Sequence, residues 1–153
     1  MSINVPQSVA TVLDQADCSG AVSEEFISAV ERQYGLAFHS EYRAFLSRYG
    51  AALLSGFELH GLLPSAIEGE PPYWTDIRAL LGKQSLNGLP SSLVPISDDG
   101  GDFKFYLSCA AGPGLGTVLV YGPGADGKPV SHGFFEFVER AARGSISELI
   151  PAS

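Results

Sequence analysis

At 153 residues the chain has the size of one domain, and 45% hydrophobic against 17% charged residues excludes wholesale disorder. No apolar run reaches the ~18 residues that a membrane span needs. A net charge of -8 with only 9 basic residues argues against nucleic-acid or anionic-membrane binding, which relies on clustered Lys and Arg.

Val5, Val9, Val12, Leu13 and Ala16 recur at helical spacing behind Pro6, whose missing N–H is harmless in a first turn, so a short helix is expected up to Cys18-Ser19-Gly20. Val22, Phe26, Ile27, Val30 and Tyr34 form a second apolar face. Ser23 is its N-cap candidate, Glu24 and Glu25 suit the helix dipole, and Gly35 supplies the stop. Ser40 can cap a third helix with Tyr42, Phe45, Leu46 and Tyr49 on one face, ending at Gly50. Residues 57–62 alternate as a strand does, and the Pro-rich, acidic segment 63–73 has no regular period. Trp74, Ile77, Leu80 and Leu81 return to helical spacing before Gly82.

The most informative stretch is 89–107. The apolar run Leu93 to Ile96 stops at Asp98-Asp99-Gly100-Gly101-Asp102, after which Phe103, Phe105 and Leu107 alternate with Lys104 and Tyr106, which reads as a hairpin. Pro95 cannot donate to a ladder and places the first strand at an edge or at its own end. Three neighbouring aspartates invite a calcium reading, but the EF-hand spacing is absent and aspartates cap turn N–H groups without a metal. Gly112 to Gly116 read as turn residues before an apolar strand 117–121, since neither a helix nor a Gly-Lys-Ser/Thr end follows. A turn over 122–129 leads to a closing helix carrying Phe134, Phe135, Phe137, Val138, Ala141 and Ala142, and Ser145 with Glu148 fits a capping box.

Helices, then hairpin strands, then a last helix indicate an α+β fold: a single domain over residues 1–153 with a mainly antiparallel sheet, covered by helices from the N-terminal half and a C-terminal helix. Phe26, Phe45, Leu46, Phe103, Phe105, Leu107, Phe134, Phe137 and Val138 are the expected shared core. Cys18 and Cys109 make no disulfide framework, and no basic region precedes the N-terminal apolar positions, so the expected location is cytoplasmic. No nucleophile elbow, metal-ligand spacing or paired acid and base stands out, and His39, His60 and His132 are scattered. No enzyme activity, cofactor or metal site is therefore expected.

In order along the chain stand Phe26 to Gly35 with Glu31, Tyr42-Arg43-Ala44-Phe45-Leu46 with Tyr49-Gly50, Glu58-Leu59-His60-Gly61, Leu93 to Asp102, and Phe134-Phe135-Glu136-Phe137-Val138. Over residues 22–143 this series resembles the SUKH superfamily, the Smi/Knr-like domain. It departs from that pattern with Phe38-His39 in place of Leu-Pro, Ala51 in place of a second glycine, and Ser108 in place of an acid. The resemblance implies a protein-binding, non-enzymatic domain. Bacterial members are largely immunity proteins against a cognate toxin, often a nuclease, and fungal relatives look like regulatory interaction proteins.

An acidic inhibitor would be steered toward a basic toxin. The candidate partner-binding residues are Glu68, Glu70, Tyr73 and Trp74 in the long loop, and Asp98, Asp99 and Asp102 in the hairpin turn. A regulatory scaffold of the same fold is the alternative, and a small-molecule-binding or hydrolytic domain the third reading. Oligomeric state is left open.

Overall fold

The computed structural model describes residues 4–54, 56–63, 75–90, 92–144 and 149–150. In chain order the elements are α1 (Gln7–Asp14), β1 (Asp17–Cys18), α2 (Glu24–Tyr34), α3 (Ser40–Tyr49), β2 (Ala52–Leu54), β3 (Phe57–Leu59), α4 (Ile77–Leu86), β4 (Leu93–Asp98), β5 (Lys104–Ser108), β6 (Val118–Gly122), β7 (Ala125–Ser131) and α5 (Phe134–Arg143). The architecture is α+β, as the segregation of helical and strand patterns predicts. The strands divide between two antiparallel sheets, β1-β2-β3 and β4-β5-β6-β7.

Local chemistry explains most of the boundaries. Ser23 accepts a hydrogen bond from the Phe26 N–H and Gly35 closes α2 in the left-handed region at φ 65°. In α3 the cap is His39 rather than Ser40, its ring accepting from the Glu41 N–H. The start of α5 has no cap of its own. Glu41, on α3, accepts from the Phe135 N–H at 3.0 Å and closes that end across the helix pair.

Three boundaries differ from the sequence reading. α4 runs through Gly82 to Leu86, because buried Gln84 donates from its amide to Pro90 O and Leu93 O and holds the extra turn against the start of β4. The turn expected over 122–129 shrinks to two residues, with Asp126 and Gly127 inside β7, where one of two register shifts against β6 absorbs Gly127. The short strands β1 and β2 carry too few residues to show a period, and pairing defines them, β1 with β2 and β2 with β3. The Ser145–Glu148 capping box lies outside the described residues.

One core joins the layers. Phe45 and Phe134 rings lie 5.1 Å apart, Tyr42 meets Phe134 at 5.1 Å, and Phe105 meets Phe137 at 5.1 Å, so α3, α5 and one face of the larger sheet pack together. Phe45, Leu46, Phe105, Leu107, Phe134, Phe137 and Val138 are buried as the periodicity predicts, whereas Phe26 and Phe103 are only partly buried. Phe26 sits under the Arg78 guanidinium, 4.8 Å from its ring centre, and Phe103 precedes β5 and leans over Gly122. Tyr106, on the strand face expected to be polar, is 7% exposed because α4 covers that side.

Pro95 stands where expected, on the edge strand of its sheet at a register shift between Pro95 and Ser97. β3 approaches that edge: the His60 N–H donates to Ile96 O at 2.8 Å, and Ser97 Oγ donates to Glu58 O at 2.6 Å. At the same level Gly50 and Gly61 touch through their backbones, and a Cβ built on Gly61 would lie 1.8 Å from the Gly50 carbonyl oxygen.

Phe105→Ala should lose about 3–5 kcal/mol in chemical denaturation, because the side chain is fully buried between sheet and α5. A wild-type midpoint would show that the sheet face is wrongly assigned. Two glycines give a matched contrast. Gly61→Ala should unfold at lower denaturant than wild type. Gly82→Ala, exposed in mid-helix with nothing within 4 Å of the new Cβ, should gain about 0.5–1 kcal/mol.

Candidate functional site

The hairpin turn between β4 and β5 is built by its own aspartates. Asp98 Oδ1 accepts from the Gly100 N–H at 2.8 Å, and Asp99 Oδ1 accepts from the N–H groups of Gly101 at 2.8 Å and Phe103 at 3.2 Å. Gly100 takes φ 82°, the left-handed conformation this turn requires. Asp102 is exposed, and Asp98 and Asp99 are half-buried. Among the described residues no group of three or more His, Cys, Asp or Glu side chains could hold a metal ion. Glu68, Glu70, Tyr73 and Trp74 lie outside the described residues.

Directly behind the turn sits a polar ladder that the sequence reading did not single out. His60 is 4% exposed. Its Nε2 lies 3.4 Å from Asp98 Oδ2 and its Nδ1 lies 3.7 Å from Glu58 Oε1, too far for a hydrogen bond, so Nδ1 has no partner. Glu58 in turn accepts from both the backbone N–H and the hydroxyl of Thr75. Burial alone would raise the Glu58 carboxyl, but His60 and the Thr75 donors outweigh it and hold the group below the usual carboxylate range.

Thr75 closes the segment 64–74, and the other stem is tied beside it. Leu63 N–H donates to Asp76 Oδ2 at 3.2 Å, and Gly61 and Asp76 form a parallel bridge, with Ile77 N–H donating to Gly61 O at 2.9 Å. Asp76 also caps α4 and receives the Arg78 guanidinium on both oxygens at 2.9 and 2.7 Å. Burial opposes its charge, yet Arg78 and the backbone donors of Arg78 and Leu63 lower its pKa. The stems of the acidic loop and the acidic turn therefore meet across one histidine.

His60 is fixed from behind. The fully buried Tyr42 hydroxyl donates to His60 O at 2.6 Å, and burial pushes that phenol well above its usual range. A signal for this ladder was present in the sequence: within the alternating stretch 57–62, Glu58 in β3 and His60 just after it are two apart and share a face, opposite buried Phe57 and Leu59. What pairs that face with Asp98 is the approach of β3 to β4, a contact between residues about forty positions apart.

The two cysteines offer no reactive site. The thiol of Cys109 is buried, accepts the His39 N–H at 3.4 Å, and is pushed up by burial to about 11; burial and the neighbouring Asp14 and Asp17 also raise Cys18. Among the described residues no helix is long and apolar enough to cross a membrane.

Glu58 and Asp76 have folded-state pKa values below those of the unfolded chain, so unfolding in acid takes up protons. Their contribution is present above pH ~4 and is lost as pH falls through the folded values. Thermal midpoints measured between pH 7 and 3 should fall, and Glu58→Gln should lower the midpoint at pH 7 while converging on wild type in acid. A constant offset across that range would assign Glu58 a role independent of charge. Calcium should leave the midpoint of wild type unmoved, since an ion specific for the native turn would raise it by mass action.

The SMI1 / KNR4 family (SUKH-1) matches residues 21–140. Among solved structures the chain is similar to a crystal structure of a protein from Pseudomonas syringae pv. tomato, with a TM-score of 0.62 at 15% sequence identity, covering 90% of this chain and 95% of that one. At that identity the likeness shows the fold alone. No curated protein matches the sequence. The family match takes in α2 to β7 and most of α5, including Tyr42, Gly50, Glu58, His60, Gly61 and the Asp98–Asp102 turn, and this chain belongs to the SMI1 / KNR4 family (SUKH-1).

Proposed function

We propose that the chain is a non-enzymatic protein-binding domain that neutralises a cognate basic toxin, as an immunity protein. The acidic turn and the acidic loop would form its docking face. The observation that carries this reading is the convergence at His60, which places the stems of both acidic segments side by side through Glu58, Thr75 and Asp98. The turn is already ordered by its own hydrogen bonds, so little freedom is left to lose on docking.

Charge supports the same reading. Arg43 pairs with Glu24 at 2.8 Å, Arg78 with Asp76 at 2.7 Å, and Arg140 approaches Glu136 at 3.9 Å, so three of the few cations are engaged within the domain. A chain of net charge -8 with unneutralised aspartates at one hairpin end attracts a cationic surface over several ångströms, within the reach set by salt. Such rim charges act mainly on the association rate.

The test is binding to a toxin domain encoded beside this chain. Asp98→Asn, Asp99→Asn and Asp102→Asn combined keep the oxygen acceptors that build the turn and remove its charge. Association should slow by several-fold to about tenfold at low salt, with a flatter salt dependence and little change in dissociation. Glu68→Gln with Glu70→Gln should act in the same direction. Unchanged rates and slopes would remove these residues from the interface. Failure to bind or protect against any neighbouring toxin would favour the regulatory scaffold.

A further inference from the structure

A cleft on the α4 side of the larger sheet carries two lysines that the toxin-docking reading leaves unused. It has a volume of about 240 Å³, with Lys83 of α4 and Lys104 of β5 on its walls and the buried His60 in its lining. These are two of only three lysines in the chain, the third being Lys128 on β7. Both are exposed, and neither makes an ion pair among the described residues.

Ammonium groups outnumber carboxylates in this cleft. The one carboxylate in its wall, Asp98, accepts the Gly100 N–H on Oδ1 at 2.8 Å and has His60 Nε2 3.4 Å from Oδ2. Two ammonium groups remain without an acceptor, while His60 Nδ1 faces Glu58 Oε1 at 3.7 Å outside the cleft and has no hydrogen-bond partner. The rest of the wall is mixed: Leu80, Leu89 and Pro95 with the ring of Tyr106, held edge-on to Tyr121 at 5.3 Å, form its apolar part. Beside them stand Asn87, Gln84, whose amide donates to Pro90 O and Leu93 O, and Ser97, whose hydroxyl donates to Glu58 O. At about 30 Å³ per water, the space equals about eight waters, the room for an organic anion of about eight heavy atoms.

We propose that this cleft binds a small organic carboxylate, its charged end on Lys83 and Lys104 and its carbon body against Leu80, Leu89, Pro95 and Tyr106. A cation would meet two ammonium groups against a single carboxylate. An inorganic anion would leave the apolar wall without contact, so the organic body is part of the recognition. The cleft borders the toxin-docking face at Asp98, and the proposal does not rest on that reading.

The experiment uses the full chain at neutral pH and hexanoate, which has eight heavy atoms, as probe. Inorganic phosphate and sodium chloride at matched ionic strength are the comparison arms. Hexanoate should raise the thermal midpoint saturably and shift the amide resonances of 83–89 and 104–106 in heteronuclear NMR. Lys83→Ala with Lys104→Ala, both exposed, should weaken binding roughly tenfold while keeping the ligand-free midpoint, and Lys128→Ala should bind as wild type does. The proposal is overturned if hexanoate does no more than sodium chloride, if inorganic phosphate acts equally on the same residues, or if the double variant binds with wild-type affinity.

Discussion

The fold depends on a place where three segments of backbone come too close for any side chain. Gly20, Gly50 and Gly61 meet there: a Cβ on Gly50 would lie 2.2 Å from Gly20 O, and one on Gly61 would lie 1.8 Å from Gly50 O. The contact is held by hydrogen bonds from Gly20 N–H to Tyr49 O at 3.0 Å and from Leu62 N–H to Gly50 O at 3.2 Å. Gly50 also needs φ 78°, so both conformation and space select glycine. Because these atoms are packed to contact, the end of α3 fixes where the strand Phe57–Leu59 can run.

From that crossing the polar site follows. β3 leaves the glycine contact with Tyr42 hydrogen-bonded to the His60 carbonyl, and it reaches the edge of the second sheet through Ile96 and Ser97. A buried imidazole between two carboxylates is then placed by backbone geometry rather than by its own attraction to either. That is also why Glu58 and Asp98 stay at 3.7 and 3.4 Å instead of closing to full hydrogen bonds. The same strand edge gives the hairpin turn a rigid base, so the acids at its tip are presented in a fixed arrangement.

The distribution of charge has two halves with different work. Within the fold's own network, exposed Asp14 accepts the Tyr49 hydroxyl at 3.0 Å, and half-buried Glu31 accepts the Phe38 N–H at 2.8 Å while Asp76 serves Arg78 and the Leu63 N–H at once. These carboxylates satisfy donors that helix ends and crossings leave open. At the hairpin, Asp98 and Asp99 build the turn, Asp98 also approaches His60, and the exposed Asp102 leaves its charge facing solvent.

By itself the sequence determined the elements with a strong local signal. α2 follows from its apolar period, Ser23 and Gly35; the hairpin follows from the run Leu93 to Ile96, two glycines and aspartates able to cap their own turn; the closing helix follows from Phe134, Phe137, Val138 and Ala141. Each is a property of residues within about one turn or one hairpin of each other, where spacing and backbone preference decide. Tertiary structure decided what local preference could not reach. Gln84 carried α4 past a glycine, pairing made strands of Asp17–Cys18 and Ala52–Leu54, and α4 buried Tyr106 on a face that alternation marks as polar. It also brought Glu58, His60 and Asp98 together, because their meeting depends on how β3 crosses Gly50 and lies along β4, a distance in sequence over which no periodicity carries information.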